Sequence, residues 1–233
     1  MSDQETALIV GVGAGLSASL ARLFASQGMK IALTARDIEK LSNLASETGA
    51  MTAKCDVSEA ESVDAMWAEV KDSLGVPNIV VYNPSYRVRG PFVEQDRDKV
   101  KKAIMISCYG GFLVAQAAVP GMLERGSGTI EFTGASASIK GYPQSASFAM
   151  GKFGLRGLAQ SMARELAPQN IHIAHFVIDG GIKKAANETR TNGKPADALL
   201  EPDAIAQSYL DTHRQHRSVW TWEVELRPWV EKF

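Results

Sequence analysis

A glycine-rich turn near the start of the chain has the residue types and the position of a phosphate-binding loop. Gly11, Gly13 and Gly15 separate a short apolar run from a segment of helical spacing that begins at Leu16. Glycines allow a tight turn and bring backbone N–H groups and a helix N-terminus close to an anion. The spacing does not fit G-x-G-x-x-G, so the placement between strand and helix carries the inference. The alternative is a turn that serves only close packing of the helix on the sheet.

The histidines do not have the spacing of metal ligands. Neither His172 nor His175 has a cysteine or carboxylate at ligand spacing. His213 and His216 lie beside arginines, as expected at a solvated helix end. No metal site is therefore predicted.

Short apolar runs alternate with longer amphipathic segments along the whole chain. Strands are predicted over 7–11, 29–34, 51–55, 78–82, 129–133, 171–178 and 218–226. Helices are predicted over 16–27, 38–47, 58–73, 97–123, 147–167 and 204–213, the third with a capping box of Ser58 and Glu61. This alternation predicts an α/β, doubly wound fold with helices on both faces of a parallel sheet and ligands at the carboxyl ends of the strands.

Composition indicates one soluble domain over residues 1–233. Of the 233 residues 45% are hydrophobic and 22% charged, and the formal net charge of −1 favours neither nucleic acid nor an anionic membrane as a partner. Cys55 and Cys108 are too few for a disulfide framework and predict buried free thiols in a reducing compartment. The start, MSDQETALIV, lacks the features of a signal peptide, so a cytoplasmic location is expected. The irregular stretch 180–200 is predicted to be a lid or substrate loop.

Five short motifs occur in the order and register of one family. They are Gly11-x-x-x-Gly15 followed by Ser17, Cys55-Asp56-Val57 after strand three, Asn83-Pro84-Ser85 after strand four, Lys152 in the helix after strand five, and Asp179-Gly180-Gly181-Ile182 after strand six. Over nearly its whole length the chain resembles the short-chain dehydrogenase/reductase family. The resemblance implies a single Rossmann-type domain with a mainly parallel seven-stranded sheet, and a nicotinamide dinucleotide cofactor.

The same resemblance assigns residues to that cofactor. Residues near the pyrophosphate would be Gly11, Val12, Gly13, Gly15 and Leu16. The adenine would lie at Asp56 and Val57, the central ribose at Asn83 and Pro84, the nicotinamide ribose at Lys152, and the carboxamide at the amide of Ile182.

The end of strand two favours NADP over NAD. NAD sites usually place a carboxylate there, on the ribose hydroxyls, but here the position is Ala35 and Arg36 follows. A guanidinium suits a 2′-phosphate. Asp37 could be an acid shifted by one residue, which leaves NAD possible; the favoured role of Asp37 is the N-cap of the next helix.

Catalytic residues of the resembled family are mostly replaced. The family uses a tyrosine as proton donor, a lysine four residues later, a serine that orients the carbonyl and an asparagine in the long helix. The corresponding positions here are Phe148, Lys152, Ala135 with Ser136 beside it, and Ser107. A phenyl ring has no ionisable proton, so Phe148 cannot be the general acid.

Three hypotheses remain open for the chemistry. In the first, the chain is an NADP-dependent carbonyl or alcohol oxidoreductase of atypical site, with Lys152, Ser136 and Tyr142 as candidate catalytic residues. In the second, it reduces the double bond of an enoyl or dienoyl thioester, where an enolate can be protonated by water. In the third, it binds a nucleotide without catalysing a reaction.

Self-association is the remaining expectation. Trp220, Trp222, Trp229 and Phe233 make the C-terminal stretch rich in aromatics, which are enriched at interfaces. The resembled family commonly forms dimers or tetramers through its long helices and last strand. A small-molecule substrate and a homo-oligomer are therefore expected; the alternative is that these rings seal the sheet edge within one monomer.

Overall fold

Within the residues that the structure describes, seven strands and seven α-helices follow one another, and two of the helices are consecutive between the fourth and fifth strands. The computed structural model describes residues 4–183, 195 and 197–231. The strands are β1 (Thr6–Val10), β2 (Lys30–Ala35), β3 (Met51–Lys54), β4 (Ile79–Tyr82), β5 (Gly128–Thr133), β6 (Ile171–Ile178) and β7 (Glu223–Leu226). The helices are α1 (Leu16–Ser26), α2 (Ser42–Thr48), α3 (Ala60–Leu74), α4 (Arg97–Ile104), α5 (Gly110–Arg125), α6 (Ala146–Leu166) and α7 (Pro202–His213).

The strands form one sheet in the order β3-β2-β1-β4-β5-β6-β7. Every neighbouring pair is parallel. The order reverses between β1 and β4, which places a topological switch point directly beyond the glycine turn. The predicted doubly wound α/β fold is therefore confirmed. That the whole of 1–233 is a single domain stays a prediction.

Apolar side chains fill both faces of the sheet. One face packs against α3, α5 and α6, through residues such as Met66, Val114 and Leu155. The other packs against α1 and α7, through residues such as Leu20 and Tyr209. The nearly continuous apolar strands follow from this arrangement, because a parallel sheet covered on both faces has no solvated side.

A π-helical turn interrupts the long helix that the sequence predicts over 97–123. Met105–Tyr109 joins α4 to α5. The buried hydroxyl of Tyr82 donates to the carbonyl of Ile106 at 2.5 Å, which satisfies an acceptor in the π turn. By length and composition 97–125 could cross a membrane, but half of its most apolar stretch is buried in the domain, as a core helix would be.

Two local predictions are wrong, and one falls mainly outside the described residues. Ser58 does not cap α3: the N-cap is Glu59, while the Ser58 hydroxyl donates to the Asp56 carboxylate at 2.6 Å. The last strand is shorter than 218–226, because 217–219 forms a 3-10 turn. Of the predicted lid over 180–200, residues 184–194 and 196 lie outside the described residues; a bridge between Ile182 and Leu200 joins its ends.

Candidate functional site

A cleft of about 410 Å³ lies at the carboxyl ends of the strands, at the switch point. It contains seven of the residues predicted to bind the cofactor. These are Gly11, Val12, Arg36, Asp56, Val57, Asn83 and Pro84. The structure thus brings together residues from four separate strand ends, as a dinucleotide site requires.

The turn after β1 is shaped by close backbone approach. Gly11 has a φ of +79°, and a Cβ atom there would lie 2.6 Å from the Pro84 ring. The amides of Gly11 and Val12 donate to the carbonyl of Thr34 at 3.0 and 2.9 Å. Only glycine at position 11 therefore lets the turn fold back against the strand ends on both sides.

Ser17, which stands where the resembled family has its last glycine, ties this turn together. Its hydroxyl donates to the carbonyl of Gly11 at 3.3 Å and accepts from the side-chain amide of Asn83 at 2.6 Å. Asn83 therefore contributes a side chain that locks the glycine turn, in addition to the backbone role predicted for it.

The far end of the cleft carries charged side chains. Burial acts to raise the pKa of the Asp56 carboxyl, but the hydrogen bonds from Ser58 hold this pKa below its usual range, and the charge of the exposed Arg36 adds to that effect. Asp37 forms an ion pair with Lys40 at 2.9 Å, and its pKa is lowered chiefly by that hydrogen bond. Asp37 is not the N-cap of the following turn, which is Ile38. Arg36 and Lys40 together make this end basic.

The remaining predicted cofactor residues border the cleft without lining it. Gly13 and Gly15 have open space where a Cβ would be. Leu16 opens α1 and its side chain is buried in the core. Ile182 pairs with Leu200, but the bridge uses the amide of Lys183 and the carbonyl of Gly181, so it does not engage the Ile182 amide.

Lys152 is buried in α6, with 2% of its surface exposed. Its ammonium donates to the carbonyl of Thr133, at the end of β5, over 2.7 Å. Burial lowers the pKa of Lys152 from 10.5 to about 8, and the nearby thiol of Cys108 opposes this only weakly. A lysine that changes charge near neutral pH is a strong candidate for a functional group.

A second cavity, of about 480 Å³, contains the other two predicted catalytic residues. Ser136 and Tyr142 line it, together with Phe148. Lys152 is not among the residues that line it. The structure therefore brings Ser136 and Tyr142 to one cavity, whereas the Lys152 ammonium lies at the carbonyl of Thr133, at the end of β5.

Four side chains not singled out as functional by the sequence form a hydrogen-bond chain behind this cavity. The Ser138 hydroxyl accepts from the Ala135 amide at 3.1 Å and contacts His175 Nε2 at 3.2 Å. His175 Nδ1 meets Glu223 at 3.2 Å, and Glu223 accepts two hydrogen bonds from Arg156. Burial lowers the pKa of His175 to about 4, so it stays neutral and links the two partners. The chain fixes the loop at Ala135, the position of the family's serine.

Both cysteines are free thiols, as predicted, but only Cys55 is buried, whereas Cys108 is half-buried. Burial raises the pKa of Cys55 to about 11 and also raises that of Cys108. Among the described residues no group of three or more metal-binding side chains occurs.

Comparison with known proteins gives a consistent result. A sequence profile described as "Enoyl-(Acyl carrier protein) reductase" matches residues 11–218. An uncharacterized oxidoreductase of Staphylococcus aureus strain USA300 is 26% identical over 96% of this chain and 97% of that protein.

Solved structures are similar over the same extent. A short-chain dehydrogenase from Rhodopseudomonas palustris is 33% identical, with a TM-score of 0.79 over 96% of this chain and 99% of that chain. A metagenomic short-chain oxidoreductase in complex with NADP is 25% identical, with a TM-score of 0.83 over 96% and 97% of the two chains.

Proposed function

This chain belongs to the short-chain dehydrogenase/reductase family, and on that premise we propose that it is an NADP-dependent oxidoreductase acting on a small carbonyl or alcohol substrate. The observation that carries the proposal is the basic end of the first cleft. Arg36 is exposed there beside the adenine-side residues Asp56 and Val57. A guanidinium at this place suits a 2′-phosphate, which NADP has and NAD lacks.

The residues present fit such a cofactor. The first turn of α1 has no side-chain cap, so its backbone N–H groups remain available to an anion. Gly11, Val12 and Arg36 would hold the phosphates, while Asp56, Val57, Asn83 and Pro84 would contact the adenine and ribose. The nicotinamide ring supplies or accepts the hydride when the cofactor is bound.

Arg36→Ala is expected to lower the affinity for NADPH by about 10- to 100-fold and to leave the affinity for NADH nearly unchanged, because a charge-assisted contact to phosphate contributes roughly 1.5–3 kcal/mol. Calorimetric titration of the protein with each nucleotide measures both affinities. Arg22→Ala is a matched control, since Arg22 pairs with Glu47 on the surface, outside the residues lining the cleft.

An unchanged ratio of NADPH to NADH affinity in Arg36→Ala would show that Arg36 does not select the cofactor. Failure of the wild-type protein to bind either nucleotide would remove the proposed function altogether. Binding without turnover on any carbonyl or enoyl substrate would favour the third hypothesis, a nucleotide-binding protein without catalysis.

The chain's own groups must handle the substrate proton. Reduction of a ketone needs one proton at the developing alkoxide, and Phe148 cannot provide it. Tyr142 has a phenolic proton in the same cavity, and Ser136 can hydrogen-bond to the carbonyl oxygen. Lys152, with a pKa of about 8, can exchange a proton near neutral pH and would also bind the ribose hydroxyls.

Reduction of a carbon–carbon double bond is the second candidate. It is favoured by Phe148, because an enolate formed next to a thioester can be protonated by water and needs no hydroxyl at that position. The description of the matching profile agrees with it. Parallel assays of a ketone and an enoyl thioester with NADPH separate the two candidates.

Self-association is part of the proposal. Adjoining helices expose Tyr109, Phe112, Met150 and Phe153 by 39%, 40%, 53% and 45%. Exposed apolar clusters of this kind mark interaction surfaces. A cytoplasmic location and the lack of nucleic-acid and membrane partners stay predictions.

Phe153→Asp is expected to shift the protein from a dimer or tetramer to a monomer, because a buried unpaired charge strongly weakens an apolar interface. Size-exclusion chromatography with light scattering measures the mass. Val93→Asp, at an exposed apolar residue outside the long helices and the C-terminal stretch, is the control and should leave the mass unchanged. A wild-type monomer would contradict the prediction.

A further inference from the structure

The second cavity contains two arginines that the catalytic assignment does not use. Arg87 and Arg89 both line it, on the segment between β4 and α4. Val88 lies between them in the chain, and both side chains reach the same cavity. Neither arginine belongs to the cofactor cleft.

Three hydrogen bonds fix this segment against the start of α6. The Gly90 amide donates to the carbonyl of Gln144 at 3.2 Å, and the Ser147 hydroxyl donates to the carbonyl of Val88 at 3.0 Å. Arg87 Nη2 donates to the buried hydroxyl of Ser145 at 3.1 Å. Gln144 has a φ of +59°, an unfavourable backbone conformation for this residue type. The position of both arginines is thus set by the fold.

The guanidinium of Arg87 lies over the ring of Phe148. Its Cζ atom lies 4.8 Å from the ring centroid, which is a cation–π contact. This contact involves no hydrogen-bond acceptor, and among the described residues only Ser145 is a hydrogen-bond partner of Arg87. Phe148 therefore acts as a platform that holds the cation at the cavity wall.

The two arginines are exposed and repel each other, and neither is paired with a carboxylate of the described residues, so both are available to an anion. The pKa of Arg87 is lowered, first by burial and then by repulsion from Arg89. Arg89 makes no ion pair or side-chain hydrogen bond with the part of the chain that the structure describes. Of the two carboxylates that line the cavity, Asp179 is held by Lys140 at 3.3 Å and lies 3.9 Å from Arg227, and the other is Glu231.

We infer that the second cavity binds a substrate that carries a carboxylate or phosphate group, which Arg87 and Arg89 recognise together while Phe148 supports Arg87. The inference rests on the proposed function and extends it to the substrate class. Two cations beside Ser136 and Tyr142 would hold the charged end of the substrate and leave its reactive carbon at the hydroxyls. Phe148 stands in the position of the family's tyrosine and contributes to substrate binding, whereas the tyrosine would transfer a proton.

The test is calorimetric titration of the NADP⁺-saturated protein, in which no ketone can be reduced. The probes are acetoacetate against its neutral methyl ester, and dihydroxyacetone phosphate against dihydroxyacetone. At least one anion is expected to bind about 10-fold or more tightly than its neutral counterpart, because the two guanidinium groups make charge-assisted hydrogen bonds only to the charged probe. The probe pair with the larger difference in affinity shows whether the site prefers a carboxylate or a phosphate.

Variants locate the binding. Arg87→Gln and Arg89→Gln should each weaken the preferred anion about 10-fold and leave the neutral counterpart unchanged. Phe148→Leu should weaken the binding of the preferred anion by less than about 10-fold. Phe148→Tyr keeps the ring and should leave the affinity for the anion unchanged. Arg97→Gln changes the net charge equally at an exposed residue outside the cavity and should have no effect.

Equal affinity for charged and neutral probes, or no binding of either anion at millimolar concentration, overturns the inference. So does an anion preference that survives both arginine variants. Titration of the protein without nucleotide keeps the two proposals separable. Failure to bind NADPH removes the proposed function, while the response of the arginine site to the probes is still measured.

Discussion

Replacing Lys152 with methionine is expected to stabilise the fold and to abolish turnover in the same protein. The ammonium is buried, and its pKa of about 8 instead of 10.5 corresponds to roughly 3 kcal/mol of folding free energy lost at neutral pH. Loss of the hydrogen bond to Thr133 offsets part of the gain, which leaves about 1–2 kcal/mol. Turnover should fall about 100-fold or more, as on removal of a group that moves protons.

The pH dependence identifies the cause. Between pH 8 and 10.5 the unfolded chain holds a proton that the folded chain has released, so the free energy of unfolding of the wild type rises with pH in that window. Lys152→Met should lack this rise. Denaturant unfolding at several pH values measures it, and Lys101→Met, at an exposed lysine of α4, is the control.

If Lys152 has only a structural role, different results are expected for the stability and the nucleotide affinity of the variant. The methionine variant would then be less stable than the wild type, and NADPH affinity would follow stability. Nucleotide titration at a temperature where both proteins are fully folded separates a lost ribose contact from a damaged fold.

Glu131→Met is expected to give a large gain in stability at neutral pH with no change in NADPH affinity. Glu131 lies at the middle of β5, fully buried, and its carboxyl oxygens have no hydrogen-bond partner among the described residues. Burial raises the pKa of this carboxyl well above its usual value. A methionine of similar shape removes the buried acid, which should stabilise the fold by about 2 kcal/mol or more.

The sign of the pH effect follows from the raised pKa. Above the ordinary value of 4.5 the unfolded chain releases its proton while the folded chain retains it, so this carboxyl makes stability fall as pH rises. His175 acts in the opposite direction between about 4 and 6.5, because its folded pKa is lowered. The difference between wild type and Glu131→Met in thermal unfolding across pH isolates the carboxyl.

Glu69→Met, on the exposed surface of α3, is the matched control and should change neither stability nor its pH dependence. A Glu131→Met protein less stable than the wild type at neutral pH would mean that the carboxyl is paired in solution. In that case it contributes to the packing between β5 and α7.

The sheet and the first cleft could be predicted because their signals are local. The apolar runs, the glycine turn at Gly11 and the residues after each strand are all read from short stretches of sequence, and parallel strands place their ends together. The place of Arg36 in the cleft could be inferred in the same way, because it directly follows the second strand.

The second cavity was only half predicted, because its other contributors are distant in sequence. Arg87 and Arg89 lie in an irregular segment, and nothing periodic in it indicates that Arg87 contacts Phe148 about 60 residues later. The partnership of Ser138, His175 and Glu223 likewise depends on neighbouring strands. The available signal in the sequence was His175 within an otherwise mostly apolar strand, since a buried imidazole needs hydrogen-bond partners.

The strand order has a consequence for how the polypeptide assembles as it leaves the ribosome. From β1 the sheet extends through β2 to β3 on one side, and from β4 to β7 in chain order on the other. Each newly synthesised strand therefore joins an edge that already exists, and none has to insert between two strands that are already hydrogen-bonded. The sheet can be built vectorially from the N-terminus, and the nascent chain never has to reopen a completed ladder to admit a later strand.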